Sequence, residues 1–414
     1  MRSDRRRRGS AGRRALSLLL VLMATLVALQ IVTRPAPTPI LATVPLHLDP
    51  AAAVDVVLDG RAGRLLVVNA GLAQAFDTRT GARVYATRTG TAYAQGIESP
   101  PPVVDERSGR VYVPNLVDDA VYVFDGRSGR PLPPLRVGHR PDLLALDDRR
   151  GRLLVASTAD WTLTVLDART GVTLHTRSLD VGDRPGQLVA DSGSGHTFVA
   201  GDGGQLSTVA SGTGHLVRRV APNPAHDVTA LAVDARARRV LGLVEARPDV
   251  VVLDTRTGAA VRTVSVGRSL DAIVVDARTG RAFLADSGAG AVHVLGHAPR
   301  RYVRTVRVGA EPLVAVDARR QRVVVASATG LSVLDARSGR VRRRAPLALD
   351  ADALVVDERT GHVFIVSVGG TQALPSPWAT VLDPLRRWFP TLPAPAARLR
   401  TEPSLLRILD EARL

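Results

Sequence analysis

Apolar and polar residues alternate along this chain in short runs, and the runs come in sets of four. Between residues 272 and 308 the set reads Ala272 to Asp276 (AIVVD), Arg281 to Ala285 (RAFLA), Ala291 to Leu295 (AVHVL) and Tyr302 to Val308 (YVRTVRV). Each run is rich in β-branched residues and bounded by Gly, Asp, Ser or Pro, which predicts four strands joined by tight turns. The first is nearly continuous in apolar residues, as expected of a strand buried at the centre of the assembly. The fourth mixes Val303 and Val306 with Arg304 and Arg307. That pattern suits an outer edge whose charges discourage pairing with another molecule.

Near copies of the set recur. The aspartates that close the first strand of each are Asp59, Asp105, Asp147, Asp191, Asp234, Asp276, Asp317 and Asp357, spaced 40 to 46 residues apart. Four strands at that period make a propeller blade, and the period is too short for a string of independent domains. The expected fold is therefore an all-β, eight-bladed β-propeller over residues 40–410, with seven blades as the alternative. A turn of the form Asp-x-Arg-Ser/Thr-Gly recurs at Asp77, Asp105, Asp125, Asp167, Asp254, Asp276, Asp335 and Asp357. Its aspartate can accept hydrogen bonds from N–H groups of the loop, and its glycine supplies a positive φ. Calcium is not expected there, because five-residue loops lack the spaced oxygen ligands and terminal bidentate acid of a calcium loop.

The two ends of the repeat are complementary. Ile40 to Leu48 (ILATVPLHL) reads as a fourth strand with no unit of its own. The eighth unit supplies Ala353 to Asp357 and His362 to Ser367, then breaks into a proline-rich insertion at 368–403. Leu405 to Asp410 (LLRILD) restores a third-strand pattern. The missing fourth strand is expected to be the N-terminal one, which closes the ring and covers the open edges.

Tyr112-Val113-Pro114-Asn115 differs from the YVTN signature by one residue, and Leu66-Val67-Val68-Asn69 is a looser match. The units thus resemble the YVTN-type propeller repeat, and residues 40 to 410 resemble the bacterial YncE-like extracytoplasmic propellers. The resemblance implies a fold more than an activity. The fourth unit departs from it, since Asp191-Ser192-Gly193-Ser194-Gly195 lacks the arginine and Val209-Ala210-Ser211 lacks the second aspartate. The insertion in the eighth unit is the other departure.

Composition adds an address and several exclusions. Cysteine is absent from the 414 residues, which removes disulfides, thiolate metal sites and covalent haem attachment. The formal charge of +16 rests on arginine alone, and seven of the arginines fall within residues 1–14. Ala15 to Val32 then carries no charge, and a helix of that length just crosses a thin hydrocarbon core. The expected order is a basic cytoplasmic segment at 1–14, a transmembrane signal anchor at 15–33 and a proline-rich spacer at 34–39. The positive-inside tendency then places the propeller outside the cytoplasm, in the periplasm or at the cell surface. Nucleic acid is not an expected partner, because aromatics are only 3% of the chain and supply few stacking platforms.

Candidate chemistry sits where the units differ. The loops from one blade to the next, at the channel mouth, carry Asp49, Glu98, Asp142, Asp183, Asp227, Asp271, Glu311 and Asp352, with His139, Arg140, Arg184 and His226 beside them. A ring of carboxylates raises some of their pKa values and attracts a cation or a basic peptide; alternatively these are loops that cap the inner strands. HExxH, GxSxG, P-loop and CxxCH motifs are missing, so no catalytic residue, metal ligand or cofactor is assigned. Within the insertion, Trp378, Arg386, Arg387, Trp388 and Phe389 form a candidate docking surface, being residue types favoured at contact hot spots. The function expected is a membrane-tethered, non-catalytic binding or scaffolding module for a protein, peptide or envelope component. The alternative is a propeller enzyme with a metal or quinone at the channel mouth.

Overall fold

The computed structural model describes residues 40–50, 52–91, 101–179, 185–222, 226–245, 247–296, 302–346, 350–369, 371–374, 398–401 and 403–410. The segments expected at 1–14, 15–33 and 34–39 lie outside them. Among the described residues the only helical piece is a 3₁₀ turn at Asp202–Gly204, and no helix is long and apolar enough to cross a membrane.

Eight four-stranded antiparallel sheets make up the ring, so the count is eight blades and not seven. Blades 1 to 7 are plain meanders over residues 54–88, 103–136, 141–178, 185–220, 228–265, 270–307 and 313–345. Blade 8 is composite. Its strands run, from the axis outward, Ala353–Asp357, His362–Ser367, Leu405–Asp410 and Ile40–Pro45. Leu406 pairs with Val366 on one side and Val44 on the other, which is the closure the sequence predicts. The first strands of neighbouring blades touch all round, including Val54–Asp59 against Ala353–Asp357. Within the insertion, Thr371–Leu374 pairs with Arg398–Thr401 as a separate ribbon. Trp378, Arg386, Arg387, Trp388 and Phe389 lie outside the described residues.

Burial follows position in the blade. Second strands are buried along nearly their whole length, as in Arg64–Asn69 and Arg281–Asp286, because each is sandwiched between neighbouring sheets. The core is a series of inter-blade clusters. Phe283, Val292 and Val294 of blade 6 pack on Val323, Val325 and Leu334 of blade 7, and Leu65, Val67 and Phe76 of blade 1 on Phe364, Leu406 and Ile408 of blade 8. One expectation needs correction: the first strands are innermost, but they are only half-buried, because solvent reaches them from the axis. Their apolar runs, with Val56, Leu188, Leu231 and Val274 among them, form a half-exposed aliphatic wall. Fourth strands are the exposed rim, as in Val341–Ala345 (VRRRA).

The recurrent turn works as its residues suggest. Asp77 Oδ1 accepts hydrogen bonds from the N–H groups of Arg79 and Thr80 at 3.1 and 2.9 Å, and Gly81 closes the turn at φ +74° with its N–H on Asp77 O. Blade 4 keeps the turn without the carboxylate, through the Gly214 N–H on Ala210 O at 2.8 Å, and its sheet remains four-stranded. Because blades 1 to 7 are up-and-down meanders, the first and third turns of each emerge on one side of the ring. The second turn and the loop to the next blade emerge on the other. These are termed the turn face and the loop face below.

Candidate functional site

The loop face holds the proposed channel-mouth residues that are described: Asp49, His139, Arg140, Asp142, His226, Asp227, Asp271, Glu311 and Asp352. Antiparallel pairing sets the start of each first strand beside the end of the second, so the incoming loop lies against the second turn of its own blade. The residue that ends the second strand ties the two together. Asn69 donates from Nδ2 to the carbonyls of Asp49, Ala52 and Ala53 and accepts from Asp49 N at 2.7 Å. Asn115 donates to Thr89 O and Thr91 O while its Oδ1 accepts from the N–H groups of Val117 and Asp118. Ser327 and Ser367 donate to Val308 O and Asp350 O at the same position in blades 7 and 8. These anchors were missed as functional positions. Their signal is the asparagine that ends Leu66-Val67-Val68-Asn69 and Tyr112-Val113-Pro114-Asn115, which marks a loop clamp.

The inter-blade acids are largely occupied by the same task. Asp142 accepts from Thr158 Oγ1, Asp227 from Gly203 N, Asp271 from Ser287 N at 2.8 Å and Asp352 from Val368 N at 2.6 Å. Asp142, Asp271 and Asp352 each pin the second turn of their own blade, whereas Asp227 reaches back to the second turn of blade 4. Asp142 and Asp271 fall where the register slips, so each is the extra residue of a bulge. Glu311 is exposed at φ +51°, and His226 is half-buried beside Asp227. Glu98, Asp183 and Arg184 lie outside the described residues. Among the described residues no three acids or histidines come together closely enough to hold a metal ion.

One place does gather charge across blades. His139 Nδ1 lies 2.7 Å from Asp119 Oδ2, its N–H reaches Asp160 Oδ2 at 2.6 Å, and the Arg140 N–H reaches Asp119 Oδ1 at 2.9 Å. Asp119 and Arg140 both hold positive φ, 50° and 53°, a conformation that side chains resist and these bonds sustain. The hydrogen bond to Asp119, with the fields of Asp160 and Asp119, holds the His139 imidazolium above its ordinary pKa. The Arg140 N–H and the His139 bond hold Asp119 below the usual carboxylate range. Histidine NMR should therefore show His139 titrating above an ordinary histidine, and Asp119→Asn should lower its midpoint. An unchanged midpoint would break the assignment.

Both faces carry charge. The loop face carries the inter-blade acids together with Asp118, Asp119, Asp160 and Asp350. On the turn face the closing aspartates Asp59, Asp147, Asp276 and Asp317 are buried, and Arg61, Arg107, Arg169, Arg256 and Arg337 are exposed together with the acids Glu106 and Asp148; Arg140 and Arg268 are exposed on the loop face.

No family model and no curated protein matches the chain. Solved structures do: 1759 chains are similar. Among them is the crystal structure of the computationally designed Ika8 protein, similar over 78% of this chain and 95% of that one with a TM-score of 0.62. Sequence identity is 18%, so the likeness establishes the propeller fold alone.

Proposed function

We propose that this protein is a tethered extracytoplasmic binding module of the YVTN, YncE-like kind, which presents its acidic loop face to a basic protein or peptide. The observation that carries the reading is the gathering of Asp118, Asp119, Asp160 and Asp350 beside the inter-blade acids on the loop face. Opposite charge across an interface steers encounter and sets partner choice. The tether is the apolar stretch at 15–32 behind its arginines, and the insertion at 368–403 supplies a second contact surface through Trp378, Arg386, Arg387, Trp388 and Phe389. The alternative is an enzyme with a metal or quinone at the channel mouth.

Glu311 and Asp350 are exposed acids of blades 7 and 8, and no side-chain hydrogen bond from either is seen among the described residues. Reversing both, Glu311→Lys with Asp350→Lys, should leave the fold intact and reduce recovery of partner from solubilised native membranes about tenfold, with a flatter salt dependence. Removing 369–403 in parallel separates the insertion from the loop face. Equal recovery and equal salt dependence in the charge-reversed protein would sink the acidic-face reading.

A further inference from the structure

On the turn face, the residue that opens the second strand lies across the sheet from the residue that closes the third. In five blades this couple is arginine and aspartate: Arg64 with Asp77, Arg110 with Asp125, Arg152 with Asp167, Arg239 with Asp254, and Arg322 with Asp335. In blades 1 and 3 it is a close ion pair, with Arg64 Nη1 2.8 Å from Asp77 Oδ2 and Arg152 Nη1 3.0 Å from Asp167 Oδ2. Blade 4 has lost both members, and His196 faces Ala210.

Blade 6 has lost only the acid. Continuing its register from Ala282 opposite Leu295 puts Gly296 across from Arg281. Arg281 Nη1, the atom that pairs in blades 1 and 3, is buried and has no hydrogen-bond partner among the described residues. A cationic nitrogen withdrawn from water without a partner is unfavourable, and such a group in a folded protein calls for an explanation.

The neighbours repeat the charge where they could have neutralised it. Arg281 lines a hollow of about 500 Å³ together with Arg236, Arg278, Thr279, Gln321 and Arg337, drawn from blades 5, 6 and 7. Among the described residues no carboxylate lines it. Asp276 is fully buried and turned into its own loop, where it accepts from Arg278 N and Thr279 Oγ1. Arg236 is held by a bond from Nη1 to Arg278 O at 2.7 Å, which fixes the guanidinium without cancelling its charge.

We propose that this hollow binds a phosphate group carried by a small soluble molecule, with Arg281 as the central ligand and Arg236, Arg278 and Arg337 around it. Planar guanidinium forks match tetrahedral oxyanions in pairs of parallel hydrogen bonds, and four of them call for a multiply charged anion. The volume is that of a small-molecule site. The hollow lies on the face opposite the acidic loops, so it stands or falls separately from the partner reading.

Inorganic pyrophosphate, titrated by calorimetry into the purified full-length protein, is expected to bind at one site per chain, more weakly as salt rises. Arg281→Gln should weaken it at least about tenfold, the loss expected of a charged hydrogen-bonding ligand. Gly296→Asp is the sharper variant, because it restores the couple of the other blades. It should weaken binding to the same degree while the thermal midpoint stays at or above that of the parent. Absence of pyrophosphate binding, or an affinity that both variants retain, overturns the proposal.

Discussion

Replacing Ile40–Pro45 by a glycine-serine stretch of equal length is expected to lower the stability of the propeller by roughly 5 kcal/mol, the sum of two comparable losses. The first is packing. Ile40, Ala42 and Val44 are the half-buried positions of this alternating strand, and they lie against the clusters around Leu409 and Leu406. Half-burying three such side chains contributes about 2–3 kcal/mol. The second is conformational, because several glycines in a strand give up about 0.5–1 kcal/mol each. Against a total of roughly 5–15 kcal/mol for a folded protein, the change is severe. Leu405–Asp410 would then present an uncovered edge, so self-association that rises with concentration is expected beside the lowered denaturant midpoint. A midpoint equal to the parent's would mean that the ring closes without this strand.

Asp286→Ala should cost about 3–5 kcal/mol, the range for leaving buried charged-group partners unpaired. Asp286 is wholly buried at the end of a second strand, the position of Asn69 and Asn115. It accepts from Arg268 N at 2.7 Å, Ser269 N at 3.2 Å and Ala289 N at 2.8 Å, and its Oδ2 lies 2.9 Å from His293 Nε2. Burial opposes ionisation of this carboxyl, but the bonds from His293 and the three backbone N–H groups outweigh it and hold its pKa below the ordinary value. A depressed native pKa gives stability that is present above the unfolded value of about 3.9 and is lost as pH falls through the native value. The gap between parent and variant should therefore be full at neutral pH and should shrink as pH drops below about 4. Denaturant titrations at both pH values decide the matter, and a gap of constant size would show that the ionised carboxylate is not what matters.

Legibility tracked how local each interaction is. The blade boundaries could be read because Asp77 and its relatives bond to N–H groups two and three residues ahead, so cause and effect share one pentapeptide. The closing strand could be read because the eighth unit is one strand short and Ile40 to Leu48 has no unit of its own. Contacts between distant residues left no such trace. Nothing in the spacing of Asp119, His139 and Asp160 announces that they meet, and the bond from Ser287 N to Asp271 shows this acid to be a turn clamp as well as a charge on the loop face. The first strands were expected to be buried at the centre because an apolar run looks the same whether it fills a core or lines an axis. The missing aspartate opposite Arg281 becomes visible only when the register puts Gly296 across from it.

The composite eighth blade also sets the order of events as the polypeptide is made. Val44 must wait for Leu406, roughly 360 residues later, before its ladder can form, which is a contact of extreme sequence separation. Blades 1 to 7 are each contiguous and can assemble in turn as they emerge, whereas ring completion is necessarily the last step and the slow one. Until then the newly made chain carries an unpaired Ile40–Pro45 at one end and an open blade at the other. A chaperone that shields those two segments during synthesis would guard the stage at which this protein is most exposed to misassembly.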